Sequence, residues 1–240
     1  MKVSLFHLKL IAFASLTLFT LSISGLITNS VLVFIFQLLG FLCVPLFAFI
    51  ISEGYRHTRS VNKYLLRVLL LAVLTALPHR YVCVSAENIW DAQLFYSAAL
   101  TGFFCLGSVI LYERITNKYG RIFCIVFTVV ISFVIGLEFA PHALIILYII
   151  QICRNKKFVE LAYYVTSYCV VIAIVSIFMW KISDSAEIRN ELIQNISIIG
   201  CIPALPLIKK YDGSKGPSCK IFSYLYYLLL LGVIVSIKVL

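Results

Sequence analysis

The run LIAFASLTLFTLSISGLITNSVLVFIFQLLGFLCVPLFAFIIS, residues 10–52, holds 43 consecutive positions without a formal charge. A bilayer-spanning helix needs about 20 predominantly apolar residues, so this run has room for two. Two further uncharged runs, 92–112 and 161–180, each match one span. The whole chain of 240 residues is 62% hydrophobic and only 12% charged, about half the charged fraction of a soluble domain. These numbers exclude an ordinary soluble protein and place the chain in a lipid bilayer. The net charge of +10 does not indicate nucleic acid, because the Lys and Arg lie between apolar runs and form no basic domain or base-reading motif.

Breaks in the apolar pattern predict an all-α integral membrane protein of about nine transmembrane helices, near 8–27, 30–52, 62–78, 93–112, 121–137, 142–153, 160–180, 191–208 and 221–239. The segment 142–153 is short and is expected to rely on flanking Lys and Arg reaching toward the interface. Lys2 and Lys9 before the first apolar stretch suggest a signal peptide. The stretch is longer than a cleavable apolar region and no small-x-small site follows it, so it is expected to be the first span. Basic residues in short loops stay cytoplasmic. With nine spans, Lys2 and Lys9, Arg56 to Arg67, Arg114 to Arg121, Arg154 to Lys157 and Lys209 to Lys220 put 16 basic residues on one side, leaving only Arg80, Lys181, Arg189 and Lys238 on the other. The N-terminus is therefore expected to be cytoplasmic and the C-terminus extracytoplasmic. The chain reads as a single polytopic domain, residues 1–240, without internal repeats.

Eight cysteines, at positions 43, 83, 105, 124, 153, 169, 201 and 219, show no metal-ligand or disulfide spacing. In apolar runs a thiol packs as a small hydrophobe. Polar residues in or beside spans carry more information, because lipid penalises them. One group follows the second span: Glu53, Gly54, Arg56, His57, Arg59, Lys63 and Arg67. Lys63 and Arg67 are four apart on one helical face, with Arg67 deeper in the apolar run, where Glu53 or a ligand phosphate would pair with it. Plain charge anchoring accounts for the loop 154–157 and competes on even terms at 53–67. The second group comprises His79, Arg80, Glu87, Asp91, Glu138 and His142 on the opposite face. Glu138 and His142 have the spacing for a carboxylate that orients an imidazole for proton transfer, although Pro141 interrupts any helix between them; solvated loop residues are the commoner outcome of such spacing. The turn-rich loop Lys209-Lys-Tyr211-Asp212-Gly213-Ser214-Lys215-Gly216-Pro217 offers lysines and backbone N–H groups beside the first group.

The string Gly40-x4-Pro45-Leu46-Phe47-Ala48-Phe49-x3-Glu53-Gly54-Tyr55-x2-Thr58-Arg59-x3-Lys63-Tyr64-x2-Arg67 resembles the TraX family, multi-spanning membrane proteins linked to N-terminal acetylation of conjugative pilin. Weaker matches follow in order at Lys9-x-Ile11-Ala12, Leu94-Phe95-Tyr96-Ser97 and Tyr211-Asp212-Gly213-x-Lys215-Gly216 with the aromatic stretch from Phe222 to Tyr227. The resemblance implies a bacterial inner-membrane acetyltransferase with acetyl-CoA as donor and a pilin N-terminus as acceptor. In such an enzyme Arg56, Arg59, Lys63, Arg67 and Lys215 would hold the CoA phosphates, Glu53 would orient Arg67, and His142 with Glu138 would serve as base. The sequence also departs from the family. Phe19 and Thr20 stand where the family has an Asp-His pair, Phe41 stands where it has an Arg, and the stretch Tyr227 to Leu230 replaces a Pro-x-His. A relative that keeps the fold but acts in assembly, without catalysis, is the alternative. A transporter would need charges near mid-membrane, and the sequence places almost none there.

The charge asymmetry generates a direct expectation. A topology reporter fused after Lys157 should read cytoplasmic and one fused after Leu240 extracytoplasmic; the same compartment for both would contradict the nine-span topology.

Overall fold

The computed structural model describes residues 3–83, 97–183, 185, 192–217 and 220–239. The helices are α1 (Leu5–Ile23), α2 (Ser30–Gly40), α3 (Cys43–His57), α4 (Val61–Cys83), α5 (Ala98–Arg114), α6 (Lys118–Ile135), α7 (His142–Cys153), α8 (Phe158–Ile182), α9 (Ala204–Lys209) and α10 (Lys220–Val239). Helical residues 192–196 and a 3₁₀ turn, Ser197–Cys201, lead into α9. Six stretches are long and apolar enough to cross a membrane: Leu5–Ile23, Ser30–His57, Val61–Cys83, Lys118–Ile135, Phe158–Ile182 and Leu192–Lys209. The all-helical membrane-type architecture matches the sequence expectation. Glu87, Asp91, Arg189, Cys219 and the motif residues 94–96 lie outside the described residues.

Local chemistry starts several of these helices. Asn29 accepts hydrogen bonds from the amides of Val31 and Leu32, Asn117 from Tyr119, and Ser97 from Leu100, each satisfying an amide that a helix N-terminus leaves open. Gly136, with φ of 71°, closes α6 in the left-handed region.

Two of the six stretches are interrupted, and proline is the cause in each. Pro45 has no N–H and cannot bond the carbonyl of Phe41 four residues earlier. The chain breaks there, between α2 and α3. The Phe41 carbonyl is instead bonded by the amide of Val44 at 3.1 Å and by the thiol of Cys201 at 3.3 Å. Cys201 ends the 3₁₀ turn just ahead of Pro203, so the two breaks meet. Gly200 permits the meeting: a Cβ there would lie 1.7 Å from the Leu38 carbonyl oxygen. Gly40 plays a related part at the crossing with α1, where a Cβ would come 2.6 Å from that of Phe19.

The short helix α7 runs through the middle of the bundle. Nine of its 12 residues are buried, packed by α3, α5 and α8. It is short because protein rather than lipid surrounds it, so it needs no flanking cations to reach an interface. The outer helices are the reverse: within the most apolar windows only 11% of the α4 residues and 17% of the α6 residues are buried. Helix α4 runs on past Pro78 to Cys83, where the apolar pattern suggested an end at 78. His79 and Arg80 are consequently buried helix residues and not part of a loop. At the opposite end, residues 3–5 bond to the 210–214 loop (Val3 N–H to the Lys210 carbonyl, Asp212 N–H to the Val3 carbonyl, Leu5 N–H to the Ser214 carbonyl). Tyr211 packs edge-on against Phe49, with ring centroids 5.3 Å apart. The turn-rich loop and the N-terminus thus sit over the end of α3 that carries Glu53.

Gly200→Ala should disrupt the crossing, lowering stability by more than about 2 kcal/mol because backbone would have to move. Gly107→Ala, where nothing lies within 4 Å of the added Cβ, should be neutral or stabilise the α5 interior by up to about 1 kcal/mol. Thermal unfolding of both variants in detergent checks the contrast.

Candidate functional site

At the end shared by the N-terminus and the 210–214 loop, a cavity of about 470 Å³ opens between Arg56, Tyr112, Glu113, Arg121, Gln151, Ile152, Arg154 and Asn155. Four helices build it: the last turns of α3, α5 and α7 and the first turn of α6. Each arginine is held. Arg56 pairs with Glu53 at 3.0 Å, Arg154 with Glu113 at 3.2 Å, and Arg121 donates from Nε to the Ile115 carbonyl at 2.7 Å while its guanidinium lies 5.1 Å from the centre of the Tyr112 ring. Gln151 donates to Ser52 at 2.9 Å, and its Oε1 is buried without a hydrogen-bond partner. Three guanidiniums and one carboxylate around a polar hollow make a net cationic receptor. Pre-positioned Arg forks suit phosphate oxygens.

The residues expected on this face divide. Arg56 reaches the cavity, and buried Glu53 supports it from behind, also facing His57 Nε2 at 3.4 Å. Glu53 therefore orients Arg56; Arg67 does not take that place. Arg59 is exposed in the turn between α3 and α4, Lys63 is exposed on the first turn of α4, and Lys215 is exposed in the 210–217 loop. Arg67 is exposed on α4 beside a separate groove lined by leucines. Within the same motif, Gly54 lies against the hydroxyl of Tyr64, 3.0 Å from where a Cβ would stand, which accounts for glycine at that position. Arg121, Arg154 and Gln151 were not legible as site residues, since the two arginines read as ordinary loop charge. Gln151, an amide inside an apolar run, was the available signal.

At the other end, Glu138 and His142 are buried, and they do not form the expected pair. His142 opens α7, with Nδ1 bonded to the Tyr168 hydroxyl at 2.7 Å and Nε2 to Asn195 Oδ1 at 3.1 Å. Both ring nitrogens are committed. Glu138 sits in the link between α6 and α7, where Thr101 bonds its main-chain carbonyl. Both carboxyl oxygens are buried without a hydrogen-bond partner among the described residues, and Oε1 lies 4.0 Å from Nε2 of His79. His79 in turn contacts the Tyr227 hydroxyl at 3.1 Å and the Cys83 thiol at 3.3 Å. Burial pushes the Glu138 carboxyl well above the ordinary carboxylate range.

An aromatic cluster stands beside His142. Phe19 lies 4.4 Å from Phe139 and 5.7 Å from Phe41, centroid to centroid, and Phe41 lies 5.7 Å from Phe139 and 6.5 Å from the His142 ring. Positions 19 and 41, distant in sequence, thus occupy one place in the fold.

The raised Glu138 carboxyl sets a sign for pH dependence. A carboxyl with a folded-state pKa above its unfolded value of about 4.3 contributes its full stability below that value and loses it as pH rises toward the folded value. Glu138→Gln should therefore gain on the wild type as pH climbs from about 4.5 to 8 in detergent melts. A difference that is flat with pH would refute the buried-acid assignment.

The TraX protein profile matches residues 4–238. No curated protein and no solved structure matches the chain. With nearly its whole length covered, from α1 through α10, the chain is a member of the TraX family.

Proposed function

We propose that this chain is a nine-span protein of the bacterial inner membrane, N-terminus cytoplasmic, that takes acetyl-CoA from the cytoplasm and serves the N-terminal acetylation of conjugative pilin. The arginine cavity carries the reading. CoA bears several phosphate charges, and Arg56, Arg121 and Arg154 converge where a soluble anion would enter. The five basic loops assigned to the cytoplasm include every arginine of the cavity. Arg59, Lys63, Arg67 and Lys215 lie outside it and at most steer the anion toward it.

Transfer requires more than binding. The acceptor amine nitrogen must attack the thioester carbonyl, forming a C–N bond as the C–S bond breaks, while a base takes the amine proton and the departing CoA thiolate acquires one. His142 lies nine residues before Gln151 on α7, about 14 Å away at 1.5 Å per residue. Both of its nitrogens are occupied, and those of His79 face the Tyr227 hydroxyl and the Cys83 thiol, so neither histidine stands free as a base. Where the family has an Asp-His pair and an Arg, this chain has Phe19, Thr20 and Phe41, and two of these belong to the aromatic cluster. That substitution favours a second reading, in which the chain retains donor binding and acts in assembly with little or no catalysis.

Acetyl-CoA should produce a saturable thermal shift in detergent, and Arg121→Ala with Arg154→Ala should weaken its binding by tenfold or more, with a strong dependence on salt. An unchanged affinity in the double variant would remove the cavity from the reading. Acetyl transfer by the natural chain to a pilin N-terminal peptide should be weak, since a positioned base supplies about 100- to 10,000-fold. Phe19→Asp with Thr20→His should raise it only if the rest of the site survives. Robust turnover that persists in a His79→Ala, His142→Ala double variant would place the chemistry elsewhere.

A further inference from the structure

Arg67 is the seventh residue of α4, roughly 9 Å along the helix from its first residue at 1.5 Å per residue. Its side chain is exposed, and among the described residues no carboxylate or hydrogen-bond acceptor partners it. An arginine at that depth on a lipid-facing helix needs an anion. The nearest acidic residue of its motif, Glu53, is already engaged by Arg56 and His57.

Beside Arg67 lies a groove of about 180 Å³ lined by Leu70, Leu71, Leu74, Leu225 and Leu228. On α4 the positions 67, 70, 71 and 74 follow the i, i+3, i+4, i+7 pattern of one helical face, and the groove continues from the arginine toward the membrane interior. Helix α10 forms its other wall. Beyond the groove on α4, His79 meets Tyr227, which lies between Leu225 and Leu228 on α10, at 3.1 Å, and farther along both helices Lys238 Nζ bonds the Val82 carbonyl at 2.6 Å. The groove is thus open at its charged end and sealed at the other. Lys63, exposed one turn before Arg67, adds a second cation on the same face.

We infer that the α4–α10 groove binds one anionic phospholipid, with its phosphate between Lys63 and Arg67 and an acyl chain along the leucines. A free phosphate would satisfy the arginine but leave the apolar floor uncovered. A zwitterionic lipid would bring its own cation against two others, with no carboxylate there to receive it. The bound lipid fills the half of the α4–α10 seam that protein leaves open, and so braces the helix carrying Tyr227 against the helix carrying His79. This site is separate from the arginine cavity, and it does not depend on acetyl transfer.

The test uses the full chain, delipidated in a mild detergent, with phosphatidylglycerol, phosphatidylcholine and inorganic phosphate as probes. Thermal shift and native mass spectrometry report binding. Phosphatidylglycerol should bind saturably, at least tenfold more tightly than phosphatidylcholine, and inorganic phosphate should give no shift. Arg67→Leu should weaken phosphatidylglycerol at least tenfold, while Arg67→Lys should retain most of the binding. Leu74→Trp, which leaves the charge and fills the floor, should weaken it as well and decides the matter if Arg67→Leu fails to fold. Equal binding of the two lipids, a full shift with phosphate alone, or undiminished phosphatidylglycerol binding in both Arg67→Leu and Leu74→Trp would overturn the site.

Discussion

The crossing of Gly200 over the Leu38 carbonyl is the contact on which the bundle depends. A proline in each strand of the crossing supplies an interruption, Pro45 in one and Pro203 in the other. An interrupted helix in a membrane must satisfy its freed carbonyls from within the protein. Here the Phe41 carbonyl receives the Cys201 thiol from the second break, while the Ile199 carbonyl that Pro203 frees is taken by the Ile202 amide. With any side chain at position 200 the two backbones would separate. Phe41 and Asn195 would then lose the register that brings them to His142.

Helix α7 is the axis between the two ends. Its last turn presents Gln151 to the arginine cavity, its first residue is His142, and buried leucines and isoleucines fill the length between. A CoA molecule whose phosphates rest on the arginines would have to send its thioester arm alongside this helix to meet an acceptor near His142 or His79. The aromatic cluster stands where that arm would arrive. Two of its three phenylalanines, Phe19 and Phe41, stand where the family resemblance implies polar groups, and the replacement is coherent. Removing one member of a buried ionic network leaves its partners uncompensated at a cost of several kcal/mol, whereas exchanging the whole set for well-packed apolar groups is often neutral or stabilising. Phe19 and Phe41 pack on each other and on Phe139, as positions exchanged together would.

The segments were legible because hydrophobic length is the strongest signal a membrane chain carries. Their ends were less so. Pro78 reads as a stop, yet a proline costs a helix one hydrogen bond and a local clash, and burial of His79 and Val82 against neighbours carries α4 onward. The interruption at Phe41 was hidden within 43 uncharged residues, because composition does not register the single carbonyl that Pro45 frees. The site was half legible. Arg56 and Glu53 belonged to a motif with more polar groups than anchoring needs. Arg121 and Arg154 come from loops whose charge serves topology equally well, and only the convergence of four helix ends distinguishes them. The Glu138 and His142 spacing misled for a related reason: four residues imply one face only where the helix is continuous. The link between α6 and α7 instead turns the carboxylate toward His79 on α4.

The most direct measurement is a cryo-electron-microscopy map of the full chain in a lipid nanodisc with a non-hydrolysable acetyl-CoA analogue. Density for the CoA phosphates should lie among Arg56, Arg121 and Arg154, with the arm running along α7 toward the aromatic cluster. Phosphate density at Arg59, Lys63 and Lys215, with the cavity vacant, would contradict the account.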